Sequence, residues 1–365
     1  MIHDECWAAT KTNIVSFVSY IVTATITSLN KFQFLYSAIL LFACRSSYFL
    51  WAFSSATSRR QRPCTACRDA TKIDGKAIAA SIREDIRQRV QHYQETIHKV
   101  PGLAVILVGS RRDSQTYVNM KKKACEAAGI RSVGYDFAEN VTQDELLETV
   151  DTLNRDASVH GILVQLPLPP QIDQDKVLQS VDPSKDVDGL HPVNVAKLQL
   201  YAGEATAAPF SIPCTPLGCL VLLDRVGVDL RGKHCVVIGR SSLVGLPMAR
   251  LLLGRDATVT ICHSKTPDLG SVVQQADVVV AAVGKSCLVQ GDWIKPGAIV
   301  IDVGINSVDI EPKKPGGKTY KLVGDVDFCS ASPVASFITP VPGGVGPMTI
   351  AMLLNNTLAS FERSF

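Results

Sequence analysis

The sequence has little net charge, with 37 Lys and Arg against 34 Asp and Glu leaving +3 over 365 residues. A nucleic-acid partner is therefore not expected, because the basic field that supplies most non-specific affinity is missing. Aromatics are scarce at 6%, yet 46% hydrophobic and 19% charged residues describe a chain that buries a core. That excludes a disordered or collagen-like protein, and the length suits two domains. Long apolar runs are also lacking. Residues 12–30 are uncharged but hold nine Ser, Thr or Asn in 19, and the apolar stretch 32–44 stops at Arg45. Both fall short of the about 20 apolar residues a span needs, so stable membrane insertion is not expected. No disulfide framework or metal ligand set stands out either. The 11 cysteines are odd in number and scattered, and some, such as Cys235 and Cys262, sit in apolar runs. They suit buried thiols in a reducing compartment. The one close pair, Cys64 and Cys67, has no second pair or His at matching spacing.

Acids are nearly absent from residues 1–68, where Asp4 and Glu5 face seven Lys and Arg. Five of those cations are arginines between Arg45 and Arg68, in a stretch rich in Ser, Thr and aromatics. This is the composition of an organelle targeting leader, with a mitochondrial destination expected and a plastid as the alternative. A membrane anchor and a true start further downstream stay open. After residue 68 the chain is near neutral, with 30 basic and 32 acidic residues.

From about residue 72 the pattern becomes regular. Helical periodicity in AIAASIREDIRQRVQHYQETI is followed by a buried strand, LAVILVG, at 103–109. The run SQTYVNMKKKACEAAGI reads as a helix opening at a Ser114 cap and stopping at Gly129. A strand near 131–137, a helix near 143–155 and the strand GILVQLPLP follow. A second set of apolar runs begins at HCVVIG (234–239) and continues through TVTIC, DVVVAAVG and AIVIDVG. Alternation of this kind predicts α/β architecture with parallel βαβ units in two sheets, joined near 190–213.

Several segments carry candidate chemistry. The turn after HCVVI runs from Gly239 through Arg240 and Ser241 to Gly245 and opens a helix, a geometry that aims backbone N–H groups and the helix dipole at a phosphate. Ser241 replaces the second glycine of the usual dinucleotide fingerprint, so the motif alone does not separate a phosphate site from an ordinary turn. No acid follows the next strand; Ser264 and Lys265 stand there instead and, with Arg240, suit a 2′-phosphate, hence NADP rather than NAD. Tyr117 and Lys121 are four apart on one helical face that continues as Ala124 and Ala128. A lysine desolvated there would have a lowered pKa useful for proton transfer; the plainer reading is a snorkelling surface lysine. Gln165 lies in a buried strand and needs a polar partner. Asp186 and Asp188 flank a turn, for ligand binding or for turn and cap chemistry. The Gly/Pro-dense run 339–349, with Pro342 and Gly344, makes a rigid corner before the last helix.

In order, YVNMK at 117–121, VQLPLP at 164–169, DPSKDVDG at 182–189, PCTPLG at 213–218, GRSSLVGLP at 239–247 and TPVPGGVGPMT at 339–349 resemble one family. It is the bifunctional methylenetetrahydrofolate dehydrogenase/methenyltetrahydrofolate cyclohydrolase family, and the resemblance covers about residues 72–365. It implies a catalytic folate-binding domain at 69–212, a Rossmann-type NADP-binding domain at 213–340, and a final helix within 341–365 that returns to complete the first domain. It also implies a homodimer acting on tetrahydrofolate derivatives: oxidation of the 5,10-methylene form with NADP⁺, then hydrolysis of the methenyl form to 10-formyltetrahydrofolate. Within it, Lys121 is the catalytic lysine, Gln165 tunes it, Tyr117 packs on the folate and Asp188 holds the pterin. Pro342 and Gly344 line the folate cleft. Gly239, Arg240, Ser241, Gly245, Ser264 and Ile305 match cofactor positions, no metal is implied, and two activities are expected without the ligase domain of the trifunctional relatives. A shikimate-dehydrogenase-like oxidoreductase and a non-catalytic folate binder are the rival readings; the first gives VQLPLP and PVPGGVGP no role.

Overall fold

The computed structural model describes residues 69–310 and 319–365, within one unit that runs from Thr65 to Phe365. The leader and the Cys64–Cys67 pair lie outside the described residues.

The chain enters through β1 (Thr71–Lys72) and α1 (Gly75–Ile97), then alternates through β2 (Gly102–Val108), α2 (Arg112–Ala127), β3 (Arg131–Phe137), α3 (Gln143–Arg155), β4 (Gly161–Val164) and α4 (Gln174–Ser180). Strands β3, β2 and β4 form a parallel sheet in that order. All seven residues of β2 are buried, as a central parallel strand covered on both faces requires. Its alternate residues go to two cores: Leu103, Val105 and Leu107 to one, Ala104, Ile106 and Val108 to the other. Helix α3 shows why this part folds locally. Thr142 and Glu145 close a capping box at its start, and Leu146, Val150 and Leu153 make a buried stripe at helical spacing. Helix α2 starts at Arg112, ahead of the Ser114 cap expected from sequence; Arg111 occupies the N-cap without a side-chain cap bond, and Ser114 is buried.

The connecting region contains α5 (Pro192–Leu200), which the sequence reading passed over as a joint, and leads into α6 (Cys214–Arg225). The second lobe follows with β5 (His234–Ile238), α7 (Gly245–Leu253), β6 (Thr258–Cys262), α8 (Leu269–Val273), β7 (Val278–Ala281) and β8 (Ile299–Asp302). Next come β9 (Asn306–Asp309) and β10 (Tyr320–Val323), then α9 (Phe328–Ala331), β11 (Phe337–Ile338) and α10 (Val345–Glu362). The larger sheet has the order β6-β5-β7-β8-β11-β1 with every pairing parallel, while β9 and β10 form a separate antiparallel pair. Two-residue β1 and β11 escaped the sequence reading because they are too short to show a period.

Helix α10 packs against α1 and α6 and also touches β2 and β4. One apolar cluster therefore runs from Leu103, Val105 and Leu107 through Met348, Leu354 and Phe361 to Cys235 and Val237 of the larger sheet. The seven described cysteines are unbridged; Cys125, Cys214, Cys219, Cys235 and Cys262 are buried, whereas Cys287 and Cys329 are exposed. Among the described residues, no helix is long and apolar enough to cross a membrane, and no group of three or more His, Cys, Asp or Glu is placed to hold a metal ion.

Candidate active site

Lys121 sits in the middle of α2 and is buried despite its charge. Its Nζ donates to Gln165 Oε1 at 3.0 Å, and Gln165 sits just past the carboxyl end of β4. The other half of that amide is also spoken for: Gln165 Nε2 donates to the Leu166 carbonyl at 2.9 Å. A carbonyl only accepts, so the amide nitrogen faces Leu166 and the oxygen must face the lysine. The backbone N–H of Gln165 donates to Ile106 O of the neighbouring β2 at 2.9 Å, which anchors the residue to the sheet. Tyr117 lies one turn before Lys121 on α2 and is half-buried. The surface-lysine alternative fails here, because burial and a side-chain partner replace solvent.

Asp186 and Asp188, in the 183–189 loop, separate cleanly. Asp186 is buried and spends both oxygens on the next helix: Oδ1 accepts from Leu190 N at 3.2 Å, and Oδ2 from His191 N at 2.8 Å and Asn194 Nδ2 at 2.9 Å. It is the turn-and-cap residue. Asp188 instead joins Lys121 and Cys214. Burial pushes its carboxyl pKa up, the Lys121 charge pulls it down, and neighbouring Asp186 adds to the rise. The Cys214 thiol is pushed well above its ordinary range by burial and by Asp188, and its Sγ also reaches Val187 O at 3.4 Å. Gly189 follows with φ +69°, and a Cβ there would stand 2.6 Å from Pro213 N, so only glycine lets the loop pass.

Two residues that sequence reasoning missed hold this corner. Asn356 of α10 is buried and donates to Val187 O at 2.8 Å and Ile212 O at 2.9 Å, bracketing Asp188 and Cys214 from a helix far along the chain. Cys214 lies within PCTPLG, where no local pattern sets it apart from the other scattered cysteines. The only sequence signal for Asn356 is a polar residue inside an apolar helix, which needs a buried partner. The 339–349 corner lies beside them: Thr349 and Thr215 share a hydroxyl contact of 3.0 Å, and Gly343 O accepts from Lys76 N at 2.9 Å. Pro342 at its tip is exposed and Gly344 is buried against α1, where a Cβ on Gly75 would meet Gly344 O at 2.0 Å.

The cofactor candidates gather at the carboxyl edge of the larger sheet. Register pairs Ile238 with Cys262, and Gly239 N donates to Cys262 O at 2.8 Å, which brings the Gly239–Arg240 and His263–Ser264 segments side by side. Gly239 has φ +121°, and a Cβ there would lie 2.1 Å from Ala282 O; one on Gly245 would lie 2.2 Å from Gly239 O. A turn this tight brings backbone against the start of α7 with no room for side chains, as a phosphate cradle needs. Ser241 Oγ accepts from Val244 N at 3.1 Å and Gly245 N at 3.4 Å, so where the fingerprint would have a glycine it ties the turn to the start of α7. Arg240, Ser264 and Lys265 are exposed, and no acid stands among them. These residues fit NADP: a turn for the pyrophosphate and cations with hydroxyls, rather than a carboxylate, for the ribose end. Ile305 is exposed past β8, and its Cδ1 would lie 3.5 Å from a Cβ on Gly346, so it faces the 339–349 corner.

Beneath this edge lies a buried acid pair. Asp302 Oδ1 accepts from Gly304 N and Asp325 N at 2.9 Å each, and its Oδ2 from Val326 N at 3.0 Å. Asp325 Oδ2 accepts from Val283 N at 2.7 Å and Gly284 N at 2.9 Å, while Oδ1 accepts from Asn306 Nδ2 at 2.9 Å. Burial raises the Asp302 pKa to about 6, opposed by the three backbone N–H groups and reinforced by Asp325. The pair ties together the loops after β7 and β8.

Such a molecule is a two-lobed α/β oxidoreductase: a buried lysine–amide pair in one lobe and a phosphate-cradling turn in the other. Comparison with known proteins sharpens the class. The family described as "Tetrahydrofolate dehydrogenase/cyclohydrolase, catalytic domain" matches residues 73–188, and "Tetrahydrofolate dehydrogenase/cyclohydrolase, NAD(P)-binding domain" matches residues 213–365. The chain belongs to this tetrahydrofolate dehydrogenase/cyclohydrolase family. It is 54% identical over 293 residues to Bifunctional protein FolD 2 of Arabidopsis thaliana, covering 80% of this chain and 96% of that one. It is 52% identical over 294 residues to Bifunctional protein FolD 4, chloroplastic, of the same plant, covering 80% of each. Among solved structures, the Trypanosoma brucei methylenetetrahydrofolate dehydrogenase-cyclohydrolase complexed with NADP and inhibitor superposes with a TM-score of 0.76 at 45% identity, over 81% of this chain and 99% of that one.

Proposed function

We infer that this chain oxidises 5,10-methylenetetrahydrofolate with NADP⁺ and hydrolyses the resulting methenyl form to 10-formyltetrahydrofolate. The observation that carries the reading is the buried Lys121–Gln165 pair beside Asp188, in a chain with 54% identity to a bifunctional relative.

The roles follow from the chemistry of each side chain. Asp188 offers two acceptor oxygens to the amino and ring N–H donors of a pterin, a bidentate match like that of a carboxylate to a guanidinium. Tyr117, one turn from the lysine, gives a flat face for the ring system. Pro342 and Gly344 line the same cleft, where a backbone corner tolerates close approach. Gly239, Ser241 and Gly245 hold the NADP pyrophosphate; Arg240 and Ser264 take the 2′-phosphate, and Ile305 supports the nicotinamide end. What NADP⁺ supplies when bound is acceptance of a hydride from the methylene carbon, a transfer that needs no base from the protein. Hydrolysis does need proton movement. Water adds to the methenyl cation and loses a proton, leaving a neutral adduct; its hydroxyl then loses the second proton as the carbonyl forms, the bond from that carbon to one ring nitrogen breaks, and the nitrogen gains a proton, so one proton leaves to solvent. Lys121 Nζ carries these protons while Gln165 Oε1 holds it in place.

The division into a folate domain at 69–212, completed by 341–365, and an NADP domain at 213–340 belongs to this proposal. So do a homodimer and an organelle destination set by residues 1–68, mitochondrial with a plastid as alternative. The chloroplastic relative supports the plastid; scarce acids and late arginines support either. Sedimentation and cell fractionation test these parts.

The central experiment follows the 5,10-methylene substrate with the full chain by absorbance, with NADP⁺ or NAD⁺. Methenyl formation favouring NADP⁺, then decay to the formyl product, is expected. Lys121→Met should slow the second step by about 10²–10⁴-fold, the range for a lost general acid–base group. A wild type that binds folate but turns over neither step would make the chain a folate-binding module instead.

A further inference from the structure

At the amino-terminal ends of β2 and β4, on the opposite edge of the small sheet from Gln165, lies a cavity of about 680 Å³. Its wall carries Lys99, Arg131, Lys185, Arg363, His160 and Phe365, and no acidic side chain.

Two of the cations are locked. Lys185 Nζ donates to the carbonyls of Leu153, Asn154 and Asp156 at 3.0, 2.7 and 2.8 Å, closing the end of α3. Arg131 Nη2 donates to Ser158 O at 2.8 Å and Ser158 Oγ at 2.5 Å. They add fixed positive charge with little freedom to leave. The remaining donors are unspent. The Arg363 guanidinium lines the cavity with no side-chain hydrogen bond or ion pair among the described residues, and Lys99 Nζ rests 5.4 Å over the Phe365 ring. His160 Nδ1 accepts from Gly102 N at 3.0 Å, which puts the ring proton on Nε2, where it has no partner among the described residues. Burial, then Lys185 and Arg131, lower the His160 pKa, so the positive field converges on the cavity. The acids nearby are committed elsewhere: Asp156 accepts from Ser158 N at 2.8 Å and Ser158 Oγ at 2.5 Å, and Glu362, beside Arg363, accepts from Arg89 Nη2 at 2.5 Å and Tyr93 Oη at 3.0 Å.

We propose that this cavity is a second binding site, for a small molecule bearing a diphosphate group. Arginine forks and lysine point charges are the donors that phosphate oxygens select. The volume exceeds what a lone inorganic ion fills and falls in the range of small-molecule sites. Phe365, 63% exposed, stands at the wall with Tyr93 and Phe361 packed against its ring and Lys99 over it, so aromatic surface and cations meet in one place. The site also touches the folate loop: Ser184 and Lys185 precede Asp188 by four and three residues, and Ser360 Oγ of α10 donates to Ser184 O at 2.6 Å.

The test is isothermal titration of the full chain at saturating NADP⁺, which keeps the cofactor turn filled, with inorganic pyrophosphate and, separately, ADP. One further site per chain is expected. Arg363→Glu and Lys99→Glu should each weaken it at least tenfold while melting temperature and folate turnover stay at wild-type values. ADP binding more tightly than pyrophosphate, with the difference removed by Phe365→Ala, assigns a nucleotide; equal affinities assign the diphosphate alone. Heat that vanishes once NADP⁺ saturates the protein, or binding that both substitutions leave unchanged, overturns the proposal.

Discussion

Lys121 and Asp302 show how burial turns an ordinary charged side chain into a specialised one. For the lysine, the sequence displayed the Tyr117–Lys121 spacing and an apolar helical face, but its partner is 44 residues away and only the β2–β4 pairing brings Gln165 to 3.0 Å. Asp188 carries a pH prediction. Because burial raises its pKa, the carboxylate is lost as pH falls through a value above the usual about 3.9, and folate KM should rise on that acid limb. Asp188→Asn should have a raised KM at every pH and no acid limb; steady-state kinetics from pH 4.5 to 8 check both. Asp302 affects stability instead. Its folded pKa of about 6 lies above the unfolded value, so between those values the folded state holds more protons and stability falls as pH rises. The loss is at most about 3 kcal/mol, from a two-unit shift at about 1.4 kcal/mol each. Asp302→Asn should lose that slope and start lower, since its amide nitrogen cannot accept from Val326 N; urea titrations at pH 4.5 and 7 measure it.

Among the elements, the β5–α7 turn was the most ambiguous in sequence and is the most constrained in space. Ser241 breaks the glycine fingerprint, yet its hydroxyl accepts from Val244 N and Gly245 N and so braces the turn, a bond that a glycine lacks. Gly239→Ala places a Cβ 2.1 Å from Ala282 O at a φ of +121°. NADP⁺ affinity should drop by at least tenfold and the melting temperature should fall, readable together by fluorescence titration and calorimetry. Helix and strand periods elsewhere were legible: β6 runs over the same 258–262 read from TVTIC, and α3 over the same 143–155. What stayed hidden has a common cause. Strands β1 and β11 are two residues long, β9 and β10 are four residues each and largely exposed, and α5 hides in a segment with little amphipathic pattern.

On the scale of the whole molecule, α10 is the element the two lobes share. Phe361 near its end is fully buried, with Tyr93 at 5.3 Å and His160 at 4.9 Å, both edge-on. Phe361→Ala should cost about 3–5 kcal/mol, the range for an emptied aromatic core site. Because the core cluster runs from the small sheet to the large one, both lobes should melt together in a single calorimetric transition at a lower temperature. Two separate transitions in the variant would mean that the lobes fold independently. The sequence by itself determined the α/β class, the parallel sheets, the phosphate turn and its lack of an acid, because these depend on local period and on residues adjacent in the chain. Tertiary structure alone decided which aspartate is free, which amide holds Lys121, that Asn356 reaches back to brace Asp188, and that four cations from separate segments meet in one cavity. Asp186 is spent on partners 4 to 8 positions away, but only the fold sets them against its carboxylate; the other contacts run from 44 positions, Lys121 to Gln165, to 169, Asn356 to Val187, and farther still across the cavity. Nothing in a linear pattern records which side chains meet when sheets and helices close.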